Sequence, residues 1–198
     1  MPESSRTAEI SRRTNETEVT VAVDLDGGDV SVATGVGFFD HMLELLGHHG
    51  RLGLRAEARG DLQTGAHHTV EDVGIALGQA IDQALGDRSG IRRYGYMAVP
   101  MDEALGMCAI DVSGRPMCLF EAELPPISIA GFDSELAEEF FRAVATYARL
   151  TVHLGTRYGS NAHHMIEACF KAFARALRQA VEIDPGRQGV PSTKGTLS

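Results

Sequence analysis

The chain has 198 residues, 43% of them hydrophobic, with 18 Lys and Arg against 27 Asp and Glu and a formal net charge of −9. That balance fits a globular chain of one large domain or two half-size units, and it excludes a binder built around a basic stripe for nucleic acid. No apolar run approaches the roughly 20 residues of a membrane span. The three Cys (108, 118 and 169) form no CxxC pair, which argues against a disulfide framework or a thiolate zinc site and for a reducing, cytoplasmic compartment.

Residues 1–15 are polar throughout and read as a flexible arm rather than a signal peptide. Thr17 to Leu25 alternates polar and apolar, the period of a half-buried strand. With the Asp26-Gly27-Gly28-Asp29 turn and Val30 to Thr34, it reads as a hairpin. Phe38 to Leu46 has apolar residues at helical spacing, stopping at Gly47. Leu52 to Ala58 reads as a strand, and Thr69 to Leu85 as a long helix ended by Gly86.

The second half repeats this order. Tyr96 to Pro100, Gly106 to Val112 and Pro116 to Leu124 read as strands, and Pro125-Pro126 breaks the chain. Ser134 is placed to cap a helix through Leu150. Thr151 to Leu154 reads as a short strand, and Ala162 to Val181 as a second long helix stopped by Asp184-Pro185-Gly186. The Gly-, Pro- and Ser-rich tail reads as a loop. The last helix of each half opens on one pattern, His67-His68-Thr69-Val70-Glu71 and His163-His164-Met165-Ile166-Glu167. Two copies of His-His-x-x-Glu at equivalent points indicate an internal duplication. The expected fold is α+β, an internally duplicated two-half α/β sandwich with helices packed on one face of mostly antiparallel sheets.

Residues three or four apart on a helix share a face. His68 with Glu71, and His164 with Glu167, are therefore expected to grip an ion in pairs, while His67 and His163 are free to serve the other copy's ion. Adding His41 and His153 gives three imidazoles and one carboxylate per ion. This nitrogen-rich set suits Mn, Fe, Co, Ni or Zn better than Mg or Ca. The ions would be shared between the halves or between subunits, with open positions for water or substrate. Arg92-Arg93, Arg115, Lys171 (one turn beyond Glu167) and Ser192-Thr193-Lys194 are candidates for holding an anion. A dinuclear hydrolase and a metal-stapled storage shell stand as alternatives. The first needs a bridging carboxylate, and the second needs no anion site.

The landmarks GFFDHML (37–43), HHTVED (67–72), PMDEAL (100–105), DVSGRP (111–116), NAHHMIEA (161–168) and PSTKG (191–195) resemble the imidazoleglycerol-phosphate dehydratase family along almost the whole chain. The resemblance implies the monofunctional form of the enzyme, residues 1–198 as one domain. Its halves run over 16–90 and 91–183, a C-terminal substrate-binding loop covers 184–198, and the fold is that of the ribosomal protein S5 domain 2. It implies metal-dependent loss of water from D-erythro-imidazoleglycerol phosphate to give imidazole acetol phosphate in histidine biosynthesis, with two Mn2+ per active site and assembly into a 24-subunit homo-oligomer.

By position, His41, His68, Glu71 and His163 match one ion's ligands, and His67, His153, His164 and Glu167 the other's. Family substrate contacts fall on Glu16, the His41–His49 stretch, His67, Glu71, Arg93, Arg115, His163, Lys171 and Ser192, Thr193 and Lys194. Glu16, Glu71 and Glu167 fall among the catalytic positions, with Glu16 as acid/base group. Two departures stand out. Gly65-Ala66 occupies the place where many members carry acidic residues before the first His pair. Leu45 stands where many carry Gln.

Overall fold

The computed structural model describes residues 6–197. In the first half, β2 (Thr17–Asp24) turns Thr17, Val19, Val21 and Val23 inward and its alternate residues toward solvent. The segment before it is a strand as well. β1 (Thr7–Arg13) pairs antiparallel with β2, Arg13 opposite Glu18 and Thr7 opposite Asp24. The expected flexible arm is thus ordered from Thr7 onward; Ala8 and Ile10 supply the inward face that its charged neighbours conceal in the sequence. Residues 1–5 of that arm lie outside the described residues.

The expected hairpin of the next two strands is not formed. β3 (Val30–Ala33) pairs in parallel with β4 (Gly53–Gly60), Val30 opposite Leu54, and β4 pairs antiparallel with β2. A parallel neighbour needs a crossover, and α1 (Gly37–Gly50) supplies it, running past Gly47 to a left-handed Arg51. The sheet order is β1-β2-β4-β3. α2 (His67–Leu85) follows and lies across β1 and β2.

The second half traces the same path. β5 (Tyr94–Met101), β6 (Ala104–Asp111), β7 (Met117–Glu121), α3 (Leu136–Tyr147), β10 (Thr151–Tyr158) and α4 (Ala162–Val181) enclose an added hairpin of β8 (Ser128–Ile129) and β9 (Phe132–Asp133). The order is β5-β6-β10-β7, with β7 parallel to β10 and the other pairs antiparallel. Ser134 does not cap α3. Its hydroxyl donates to the carbonyl of Pro125 at 2.8 Å and braces the added hairpin.

Each sheet carries its helices on one face, and the two helix layers meet, α2 against α3 and α1 against α4. Glycines set the closest approaches. A Cβ on Gly78 of α2 would come within 2.8 Å of the Val144 carbonyl on α3. One on Gly95 of β5 would collide with the Ala176 carbonyl of α4. A side chain at Gly95 would push α4, the helix of the second His pair, off its sheet, and one at Gly78 would part α2 from α3. Between the layers, all eight Phe of the chain form one connected network, from Phe120 and Phe173 through Phe141, Phe140 and Phe170 to Phe39, Phe132 and Phe38.

The outer faces of the sheets differ. That of the first is charged, with Arg55 bridging to Glu9 at 2.6 Å. That of the second exposes Tyr94, Tyr96, Met117, Leu119 and Tyr158, each more than 40% accessible. Among the described residues, no helix is long and apolar enough to cross a membrane.

Candidate metal centre and anion site

Asn161 caps α4, its side-chain oxygen accepting from the backbone N–H of His163 (2.9 Å) and His164 (3.4 Å). This fixes the first helical turn, where both imidazoles stand. His163, Glu167 and Lys171 follow at intervals of four on one face. His163 Nε2 is 3.1 Å from Glu167 Oε2, and Lys171 Nζ is 2.5 Å from Glu167 Oε1. From α1, His41 Nε2 approaches the same carboxylate at 3.8 Å. His41, His163 and Glu167 thus offer three donor atoms within 4.8 Å of one another, the one such cluster of His, Cys, Asp and Glu among the described residues. Burial works to push the Glu167 carboxyl up, but the Lys171 ammonium and His163 outweigh it and hold the group below its ordinary value. His49, at the end of α1, is pushed down by burial and by the nearby Lys171 charge.

α2 presents the first pair in a matching way. His67 Nε2 lies 3.9 Å from Glu71 Oε2. In both helices, then, the first His of the pair stands over the Glu four residues on, rather than the second His over the Glu three residues on. The second His of each pair turns its Nδ1 to a different carboxylate. His68 Nδ1 is 3.1 Å from both oxygens of Asp61, with Glu16 Oε2 further off at 3.8 Å. His164 Nδ1 is 2.7 Å from Glu103 Oε2, and Asp102 lies 3.6 Å from its Nε2.

The hydrogen bond that each imidazole donates to its carboxylate raises the pKa of that imidazole, and His164 in turn lowers Glu103 to about 2. Neither Asp61 nor Glu103 is evident from the sequence as a partner. No acidic residue stands directly before the first His pair, and the one that serves His68 lies beyond a 3₁₀ turn (Leu62–Thr64) that doubles the chain back. The buried Asp72, which accepts from Arg12 Nε at 2.8 Å and from the Thr17 hydroxyl, ties α2 to the β1–β2 turn that bears Glu16.

His153 stands apart. It points from the outer face of the second sheet, in one row with Tyr96, Ala109 and Leu119. Among the described residues it joins no such cluster.

The anion candidates fall into two groups. Lys171 belongs to the Glu167 cluster. Arg93, with a positive φ of 77°, grips Asp111 through Nε (2.7 Å) and Nη2 (3.2 Å) and donates through Nη1 to the Pro191 carbonyl at 2.9 Å. Arg115 is exposed, with Nη2 3.9 Å from Asp111. Arg93 therefore holds the residue directly before Ser192-Thr193-Lys194, and the backbone N–H of Lys194 donates to the Ser192 hydroxyl at 3.1 Å. The buried Arg88, unremarked in the sequence, donates to the Leu197 carbonyl at 3.0 Å, so the tail is held on both sides of this triplet.

The donor set is of a kind that holds a divalent transition metal. Imidazole and carboxylate converge without thiolate, and the Nδ1 atoms of His68 and His164 are engaged by carboxylates that leave Nε2 for an ion.

The family model for imidazoleglycerol-phosphate dehydratase matches residues 34–177. The chain belongs to the imidazoleglycerol-phosphate dehydratase family. It is an enzyme of the hydro-lyase class. It is 57% identical over 194 residues to the imidazoleglycerol-phosphate dehydratase of Nitrobacter hamburgensis, covering 97% of this chain and 98% of that one. To that of Geobacter metallireducens it is 52% identical, covering 98% and 100%. Among solved structures, the Staphylococcus aureus enzyme superposes with a TM-score of 0.81 at 40% identity, covering 90% of this chain and 99% of that one. The Pyrococcus furiosus enzyme gives 0.82 at 34%, covering 95% and 100%. The expected fold class, a duplicated α+β sandwich, is the one observed.

Proposed function

We propose that the chain removes water from D-erythro-imidazoleglycerol phosphate to give imidazole acetol phosphate in histidine biosynthesis, using two Mn2+ per active site. The observation that carries this reading is the His41–His163–Glu167 cluster with Lys171 beside it, candidate metal ligands from α1 and α4 next to a cation suited to an anion. Family position gives His41, His68, Glu71 and His163 to one ion and His67, His153, His164 and Glu167 to the other, whereas within this chain His41 and His163 stand with Glu167, the carboxylate of the second set. Bound there, the ions supply Lewis acidity that favours the deprotonated form of the substrate imidazole.

The chain's own residues do the rest. Arg93, Arg115, Lys171, Ser192, Thr193 and Lys194 bind and orient the phosphate and the diol. His49, His67, Glu71 and His163 lie among the further substrate contacts. Hydroxide leaves from the carbon next to the ring. Glu16, exposed on the β1–β2 turn, takes the proton from the neighbouring carbinol carbon, and the resulting enol tautomerises to the ketone. Glu71 and Glu167 complete the catalytic carboxylates.

His153 lies on the outer face of the second sheet and joins no cluster among the described residues, so its set would be completed by a neighbouring subunit. The apolar character of that same face supports self-association, which we extend to a 24-subunit shell. Two duplicated halves meeting near residue 90 and a C-terminal segment from 184 would act as one domain in the cytoplasm.

The deciding experiment incubates Mn-loaded protein with imidazoleglycerol phosphate and looks for imidazole acetol phosphate, alongside metal analysis and light scattering. Absence of product with metal bound would overturn the reading. Release of inorganic phosphate would favour a dinuclear hydrolase instead.

A further inference from the structure

The turn joining β1 to β2 and the turn joining β5 to β6 are repeat-related, and each ends in a glutamate. Glu16 directly precedes Thr17, the first residue of β2, and Glu103 directly precedes Ala104, the first of β6. Each faces the second imidazole of its own half, but only one of them bonds it. Glu103 Oε2 meets His164 Nδ1 at 2.7 Å, while its Oε1 accepts from the backbone N–H of Ser160 (3.1 Å) and Asn161 (2.8 Å) and from the Ser160 hydroxyl (3.3 Å). Glu16 stops 3.8 Å short of His68 Nδ1, too far for a hydrogen bond. In its place Asp61 presents both oxygens to His68 Nδ1 at 3.1 Å, steadied by the Thr64 hydroxyl at 2.9 Å.

A neutral imidazole carries one N–H. An acceptor at Nδ1 puts that hydrogen there and leaves the lone pair on Nε2. We propose that Asp61 and Glu103 are positioning residues that fix His68 and His164 as Nε2 donors for divalent ions, and that Asp61, by taking in the first half the part Glu103 plays in the second, releases Glu16 for proton transfer. The proposal rests on the metal-dependent reading above. It accounts for two equivalent glutamates with different surroundings, and for a metal site that lacks the acidic residues expected directly before His67.

Glu103→Gln separates this role from capping. The amide oxygen still accepts from Ser160 and Asn161, while its NH2 group donates toward Nδ1 and forces the hydrogen of His164 onto Nε2. Asp61→Asn removes one of the two acceptors at His68 Nδ1 and sets an NH2 group beside it. Protein stripped with EDTA is titrated with MnCl2, free Mn2+ being read from its paramagnetic resonance signal, and the melting temperature of the stripped protein is measured in parallel. Each variant is expected to weaken one class of Mn2+ site about 10- to 100-fold with melting close to the parent, while Glu16→Gln keeps parental affinity at both. Parental affinity in Asp61→Asn and Glu103→Gln, or a loss of affinity matched by a loss of melting temperature, would overturn the proposal while leaving the metal-dependent reading intact. A parent protein that binds no Mn2+ would overturn both.

Discussion

The ring of His163 meets the ring of Phe38 edge-on, with 5.0 Å between centroids and 74° between planes. Phe38 is the last member of the Phe network, so an imidazole of the candidate metal centre is braced directly by the hydrophobic core. A Phe38→Leu replacement keeps the position apolar and loses the edge contact. It should cost about 1 kcal/mol in thermal unfolding and weaken Mn2+ binding severalfold. Unchanged metal affinity would show that the core does not hold His163 in place.

Lys171 pairs with a buried carboxylate, and a buried group left without its partner is costly. Lys171→Met should destabilise the metal-free protein by about 1–3 kcal/mol and raise KM for the substrate more than it lowers kcat. Denaturant unfolding and steady-state kinetics on one preparation would separate the two effects.

The Glu103–His164 pair predicts opposite pH responses for stability and metal binding. The pKa of Glu103 falls from 4.5 to about 2, so its contribution is complete above pH 4.5 and lost as the pH drops toward 2. That of His164 is raised from 6.5, so its contribution is complete below pH 6.5 and lost as the pH climbs through the raised value. The pair's own contribution to the melting temperature of EDTA-treated protein should therefore be greatest between about pH 4.5 and 6.5. Mn2+ affinity should instead rise above that window, because protonated imidazole cannot ligate. Melting curves and Mn2+ titrations from pH 4 to 9 would test this.

Gly95→Val would drive a side chain into the Ala176 carbonyl of α4. A loss of about 3 kcal/mol or more is expected, by the overpacking rule. Because α4 carries His163, His164 and Glu167, metal content should fall with it. Soluble, fully metal-loaded protein from this variant would contradict the packing described.

The long helices and most strands were legible because their hydrophobic periods are unbroken, as in Thr17 to Leu25 and Ala162 to Val181. The duplication was legible because the His pairs recur within it. Strand partners were not. Nothing in Val30 to Thr34 distinguishes an antiparallel return beside β2 from a parallel place beside β4; the choice is made by the α1 crossover, a long-range packing event. At the site, residue types were readable but orientations were not. Helical spacing alone permits His164 or His163 over Glu167, and Glu103, which turns His164 aside, sits on a distant hairpin. Asp61 and Arg88 are not legible because folding sets their partners: a 3₁₀ turn brings Asp61 back to His68, and Arg88 reaches the Leu197 carbonyl from far along the chain.

The crossed contacts of the helix layers have a further meaning. α3 is the repeat-equivalent of α1, and α4 of α2. The contacts of α2 with α3 and of α1 with α4 are therefore one contact made twice, in the reciprocal way that a two-fold axis imposes. The chain has the construction of a symmetric dimer of half-length proteins joined end to end. Cut near residue 90, its two pieces would each expose an apolar helix layer and should regain solubility only when expressed together.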